Sequence, residues 1–272
     1  MPSSLRTLDL PPPYRPLALR EADDAFAHAC VHAAELGAGT LVFVGRFDLA
    51  EFAVVLEPDE ALVVARRCFY AGMTALTNTL AALAPPETPI AIEWPDRLEV
   101  GRGLVGGGRL GWPSRAAEQA RPDWLVFAGV VRLVSMKSGK TALNSSWTSL
   151  ANEGFREVGA ERLSEGFARH LMVAIDRWQE GEFGAIAREY LARLRPQPAV
   201  RRGIDASGNL RIERLDGGPV ASLDLRAALA TPSWLQPASG RPLWGEIFRA
   251  IAAMRHERAD PAYPRWCGRR AA

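Results

Sequence analysis

Lysine is nearly missing from this chain. Of 33 basic residues only two are lysines, Lys137 and Lys140, and none occurs in the first 136 positions. Chemistry that needs a lysine must use one of these two or put an arginine in its place, and arginine is a permanently charged fork rather than a nucleophile. Net charge is small as well, +2, so no global field recruits nucleic acid or a membrane surface. No apolar run approaches the roughly 20 residues of a membrane-spanning helix. The opening segment MPSSLRTLDLPPPYRPL has no apolar core long enough for a signal peptide, so the expectation is a cytoplasmic protein. Cysteines are few, odd in number and scattered (Cys30, Cys68, Cys267). That pattern fits reduced thiols rather than a disulfide framework.

What is present is a packed globular composition, with 48% hydrophobic residues in 272, enough for one large α/β domain or a domain with a small appendage. Generous glycine (24) and proline (20) cut the chain into short elements. Residues 1–18 read as an extended proline-rich lead-in. READDAFAHACVHAAEL, Arg20 to Leu36, reads as a helix with an acidic start. GTLVFVG and EFAVVLEP are strands. Asp59 is placed to cap a long helix whose apolar face runs from Leu62 to Leu83, stopped by Pro85 and Pro86. PIAIEW, RLEV and LVGGGRL are short strands around tight turns, and WLVFAGVVRLVSM is a central strand buried on both faces. Two helices follow, marked by Leu163 to Trp178 and Phe183 to Leu194. Beyond the RPQP linker, VRRGID, NLRIERL and PVASLDL suggest a small β-barrel, and WGEIFRAIAAMRH a late helix. The order indicates an α+β fold: a mixed sheet with flanking helices, then a small β unit.

Most chemical motifs dissolve on inspection. His28 and His32 have the spacing of a metal pair, but no adjacent Glu or third ligand accompanies them, so they read as half-exposed helix residues and no metal site is expected. SGKT (138–141) ends like a phosphate loop, yet Val134 stands where that loop needs glycine. It reads as a solvated turn, with Lys137 or Lys140 available to an anion. No serine sits in a Gly-x-Ser-x-Gly elbow, and Cys30 and Cys68 fall on helices, where a buried thiol is inert. There remains EWPDRLEVGRGLVGGGRL. Consecutive glycines cost a strand roughly 0.5–1 kcal/mol each relative to alanine. Gly106, Gly107 and Gly108 therefore mark either a bulged hairpin or a backbone against which a flat ligand lies. Trp94 and Pro95 form a rigid wall beside it, and Asp96 offers an acceptor.

EWPDRL followed by LVGGGRL resembles the catalytic domain of biotin–protein ligases, in the biotin/lipoate protein ligase superfamily. GAGTLVFV, TSLANEG (148–154) and GIDASGNLRIE resemble further family stretches in the same order, across about residues 15–228. The resemblance implies a mixed sheet with flanking helices followed by an SH3-like barrel. The implied boundaries are a catalytic domain at 15–195, an SH3-like unit at 199–230 and an extension at 231–272. It implies that biotin or lipoate attacks Mg-ATP to give an acyl-adenylate, which then acylates a lysine of a biotinyl or lipoyl carrier domain. It assigns substrate binding to Arg46, Trp94, Pro95, Asp96, Gly106, Gly107 and Gly108. The family's N-terminal DNA-binding domain is not found.

The sequence departs from the family where charge matters. Glu93 and Leu104 stand at the family's lysines, the adenylate loop shrinks to GRFDLAEF around Gly45 and Arg46, and a Ser-Thr pair reads Asp24-Ala25. No catalytic residue is assigned. Arg46, Arg97, Arg102 or Arg109 must supply any cation. Two functions follow: a divergent biotin/lipoate-type ligase, or a catalytically inactive ligase-fold module that holds a small acyl ligand or carrier domain. A structural homodimer, pairing sheets edge to edge, is the third class. Arginines converging on Gly106–Gly108 favour an anionic ligand; an arginine bridged to Glu93 closes the site.

Overall fold

The computed structural model describes residues 8–101, 103–135, 147–238, 240 and 242–243. Arg102, the SGKT turn with both lysines, Cys267 and the expected WGEIFRAIAAMRH helix lie outside the described residues. The chain divides into two compact units, Met1–Trp234 and Leu235–Ala272. In the second, Leu235 and Pro242 form an antiparallel bridge; every element below belongs to the first.

Seven strands make one sheet in the order β1-β2-β3-β7-β6-β5-β4: β1 (Arg15–Leu19), β2 (Thr40–Gly45), β3 (Leu49–Leu56), β4 (Ile90–Glu93), β5 (Arg97–Val100), β6 (Gly103–Gly111) and β7 (Leu125–Arg132). β1 runs parallel to β2 and the other pairings are antiparallel. The sheet is thus mixed, as expected, although its first strand lies inside the supposed lead-in. Every residue of β7 is buried, because helices cover both faces at the sheet's centre.

α1 (Ala25–Leu36) covers one face. The Asp24 side chain caps it by accepting from the Ala27 N–H at 2.9 Å. Its small inward residues Ala25, Ala29 and Ala33, with Phe26, seat it closely on Val42, Val44, Ala53, Val55, Val126 and Ala128. The other face carries the larger core, formed with α3 (Cys68–Leu83), α4 (Ala160–Gln179) and α5 (Phe183–Arg193). There Phe167 stacks on Phe127 with ring centroids 5.5 Å apart, and the missing side chain of Gly72 lets α3 lie against the Phe127 ring.

The expected long helix from Asp59 is two helices, a short α2 (Leu62–Ala65) and α3, separated at Arg66 and Arg67. Asp59 does not cap α2. It pairs with Arg121 at the surface, and the free amides of Leu62 and Val63 donate instead to the carbonyls of Ala120 and Glu118, which satisfy helix-start donors equally well.

β8 (Val200–Ile204), β9 (Leu210–Arg214) and β10 (Ala221–Leu223) form a separate three-stranded antiparallel sheet, compatible with a small barrel-like unit. A sixth helix not expected from the sequence, α6 (Leu225–Ala230), follows and is capped by Asp224. Among the described residues no helix is long and apolar enough to cross a membrane.

Candidate functional site

Residues directly opposite in a sheet share a face. The registers therefore define one row running across four strand boundaries: Arg97 opposite Gly107, Gly107 opposite Val130, Val130 opposite Glu51, and Glu51 opposite Val44. The row lies on the α1 side. Two residues along β6, Arg109 sits over the Phe26 ring at 4.1 Å, and Gly111 abuts Phe26 and Cys30. The first turn of α1 reaches Glu51, and Val130 beside it is buried. Glu51 and Gly107 are two strand spacings apart, about 10 Å.

The three glycines have different surroundings. Gly108 faces Met73 and Phe127 in the main core, while Gly106 lies against the β7 backbone at Val130 beside a bulge that leaves Val105 unpaired. Gly107 is the one turned to the α1 side. A Cβ there would come within 2.2 Å of the Trp234 indole and 2.4 Å of the Asp96 carbonyl. A flat group does lie against this bare backbone, and it is the chain's own tryptophan.

The Trp94-Pro95-Asp96 turn is fixed from below. The Tyr190 hydroxyl donates to the Pro95 carbonyl at 2.7 Å, the Trp94 indole N–H reaches the Tyr70 hydroxyl at 3.4 Å, and Tyr70 donates to the Gly208 carbonyl. Trp94 thus packs on the main core. Asp96 is buried, and its carboxylate accepts from the Ser233 N–H at 2.7 Å and hydroxyl at 2.5 Å. Burial pushes its pKa up to about 6 against the lowering effect of those hydrogen bonds and of Arg97.

At the other end of the row Glu51 accepts from the Ala25 N–H at the start of α1, at 2.9 Å. Burial and then the Asp24 carboxylate push its pKa up to about 7; the Ala25 hydrogen bond, Arg109 and Arg46 oppose them.

Positive charge is mostly committed. Arg46 makes a two-pronged pair with Asp48 at 3.0 and 2.9 Å. Arg109 pairs with Asp24 at 2.8 Å. Arg97 pairs with Glu93 at 3.2 Å and donates to the Ser233 carbonyl at 2.7 Å. Arg132, two residues along β7 from Val130, is the arginine of this face that makes no ion pair among the described residues. It donates to Ser135 and is desolvated beside Asp48. Leu104 is buried, and its carbonyl accepts from the Thr148 N–H. Arg46 lies by Glu51 rather than at the glycines; of the other predicted site residues Gly107 is on the row and Asp96 adjoins its Arg97 end, whereas Trp94 and Gly108 face the main core. His28 and His32 have ring centroids 4.6 Å apart, and no third ligand joins them among the described residues. A cavity of about 270 Å³ lined by Leu133, Leu150, Phe155 and Val158 lies near the start of α4, amid the main core's residues rather than those of the row.

The model of the Biotin/lipoate A/B protein ligase family matches residues 10–192. The chain belongs to that family. Among solved structures, it is similar to a biotin protein ligase-like protein of unknown function from Silicibacter sp. TM1040. Identity is 29% and the TM-score 0.70, over 82% of this chain and 99% of that one. It is similar in fold to the biotin protein ligase of Aquifex aeolicus, at 12% identity and a TM-score of 0.60, over 77% and 95% of the two chains. The Aquifex enzyme has also been solved in complex with biotin and ATP. No curated protein matches the chain. Within the ligase family, sequence reasoning missed Glu51, Ser233 and Trp234. Glu51 carried one signal, a lone carboxylate inside an apolar strand. Trp234 carried none, since it reaches Gly107 from 127 residues away.

Proposed function

We propose that this chain is a ligase-fold binding module that holds a small monocarboxylic acid of the biotin or lipoate class on the Gly107–Val130–Glu51 row, without adenylating it. The observation that carries the reading is the charge balance of the face. Among the described residues four arginines (Arg46, Arg97, Arg109, Arg132) stand among five carboxyl groups (Asp24, Asp48, Glu51, Glu93, Asp96), and three of these arginines are bound in ion pairs. A nucleoside triphosphate needs several converging cations as its charge shifts. One arginine outside any ion pair matches one carboxylate. The residues described do not fit Mg-ATP.

Support also comes from the backbone at Gly107, which has no side chain and seats a flat ring, the chain's own Trp234 indole, against the sheet. Arg132 is the anchor for the acid, and a biotinyl or lipoyl carrier domain is the natural protein partner of a module that retains this fold. Thermal shift and calorimetric titration with biotin, lipoate and octanoate, with and without Mg-ATP, test the reading, together with ATP–pyrophosphate exchange. The expected result is stabilisation by one acid independent of Mg-ATP, lost in Arg132→Ala, with no exchange. Acid-dependent exchange would establish an adenylating ligase and overturn the reading.

A further inference from the structure

Strand β5 stops pairing with β6 at Arg97 opposite Gly107. The next residue of β6, Gly108, still has both of its backbone groups on that side satisfied. Its N–H donates to the Asp96 carbonyl at 2.9 Å, and its carbonyl accepts from the Trp234 indole N–H at 3.1 Å. The turn and the indole thus continue the ladder where β5 leaves off. Trp234 itself is wholly buried. A Cβ at Gly107 would overlap its indole nitrogen and the adjoining ring carbon, so the ring fills the place of the missing side chain. Its anchors include the residue before it. Ser233 donates its N–H and hydroxyl to the buried Asp96 carboxylate, and its carbonyl accepts from Arg97, which also pairs with Glu93. Taking the ring away would leave a strand carbonyl without its donor and an empty space against Gly107. The other end of the row differs, since Glu51 keeps a partial opening to solvent.

We propose that Trp234 is the specificity-determining residue of the row, a fixed part of the fold that takes the place of a ligand's ring at Gly107 and restricts the row to an unbranched acid. That an acid uses the rest of the row rests on the function proposed above; the closure at Gly107 does not. With its carboxylate at Arg132, an acid runs two residues along β7, about 7 Å, to Val130. The next position across the sheet is Gly107, about 5 Å further, and the indole is already there. A slender alkyl chain can end against it. A fused bicycle or a dithiolane at the end of the chain overlaps it, and relieving that overlap means shifting a ring packed on strand backbone. The preferred class is therefore the straight-chain monocarboxylic acids, with octanoate ahead of biotin and lipoate.

Lipoate is octanoate with a dithiolane ring at its far end, so the two acids isolate the ring. Calorimetric titration of the full-length protein is expected to show octanoate bound at least tenfold more tightly than lipoate or biotin. Trp234→Ala should remove that preference by binding lipoate at least tenfold more tightly than wild type does, and Trp234→Phe, which keeps a ring, should retain it. Lipoate or biotin bound by wild type as tightly as octanoate would overturn the proposal whether or not Trp234→Ala folds. A preference that survives in a folded Trp234→Ala overturns it as well. If no acid binds, the function proposed above falls, and the closure is read by hydrogen exchange. The Trp234 indole N–H, assigned by its loss in Trp234→Phe, is expected to be protected to within tenfold of the slowest β7 amides, as a group exposed only by global opening. Protection more than tenfold weaker would show the ring leaving the surface on its own and would overturn the closure.

Discussion

Replacing Glu51 by glutamine should make this protein more stable above neutral pH. In the unfolded chain the Glu51 carboxyl ionises near its usual 4.5, and in the fold it holds its proton to about 7. Between those values the folded state binds a proton that the unfolded state has released, so stability falls as pH rises through the window and the loss is complete above about 7. At about 1.4 kcal/mol per decade of acidity, the interval corresponds to about 3 kcal/mol. Glu51 keeps a partial opening to solvent, which reduces the expected effect to about 2 kcal/mol. Glutamine has the shape of the protonated acid and retains an oxygen to accept from the Ala25 N–H. The variant should therefore match wild type near pH 4 and exceed it by about 2 kcal/mol at pH 8. Asp96 adds a slope of the same sign, between 3.8 and about 6, that the substitution leaves in place. Urea denaturation from pH 4 to 8 reads both. Equal stabilities at pH 8, or a less stable variant there, would refute the burial argument.

Other substitutions probe the same frame. Asp24→Asn keeps an N-cap oxygen for Ala27 but removes the negative charge beside Glu51; the Glu51 midpoint should fall below about 7, followed by carboxyl NMR. Phe167→Ala empties the space between Phe52 and Phe127 and should cost about 3–5 kcal/mol in chemical denaturation. Gly72→Ala would set a methyl 2.3 Å from the Phe127 ring, whereas a Cβ at Gly45 meets nothing within 4 Å. The first should lower stability by about 3 kcal/mol and the second should change it by less than about 0.5 kcal/mol.

The fold was legible where one strand's side chains announce their own environment. The continuous apolar run of β7 and the short strands around Trp94 and Gly106 read correctly because burial on one or both faces leaves a local pattern. Asp59 misled because a helix start can be satisfied by distant carbonyls, here Glu118 and Ala120, which local sequence does not specify. The placement of the site residues was less legible. Trp94 and Gly108 face the main core and Gly107 the row, and which glycine faces the row depends on the bulge at Val105 and on alternation beyond it. The row itself is a product of register among β5, β6, β7, β3 and β2, and such pairing is non-local. The salt bridge of Glu93 to Arg97 joins the residue that replaces a family lysine to one of the arginines named as a substitute cation. A bridge from Glu93 to an arginine was one of the two outcomes the sequence left open, and the register that sets Arg97 opposite Glu93 decides it.

That neutralisation bears on how a ligand's affinity should depend on pH. A lysine is a mobile point charge that can follow a phosphate, whereas the two-pronged contact of Arg46 with Asp48 fixes both groups. The face therefore gains a brace where a cationic cradle would otherwise stand. A carboxylate brought over Val130 toward Arg132 adds negative charge near Glu51, which already faces Asp24 as well as Arg46 and Arg109. Its arrival should raise the Glu51 pKa further, so binding and proton uptake are linked. Biotin, lipoate and octanoate are ionised throughout the neutral range, so Glu51 is the group that takes the proton. Affinity should be highest below pH 7 and fall above it with a slope approaching tenfold per pH unit, the limit for one proton. Calorimetry at pH 7.5 in buffers of different ionisation enthalpy should show proton uptake of up to one per acid bound, abolished in Glu51→Gln. Affinity that is flat from pH 6 to 8.5, or proton release on binding, would place the acid elsewhere than on this row.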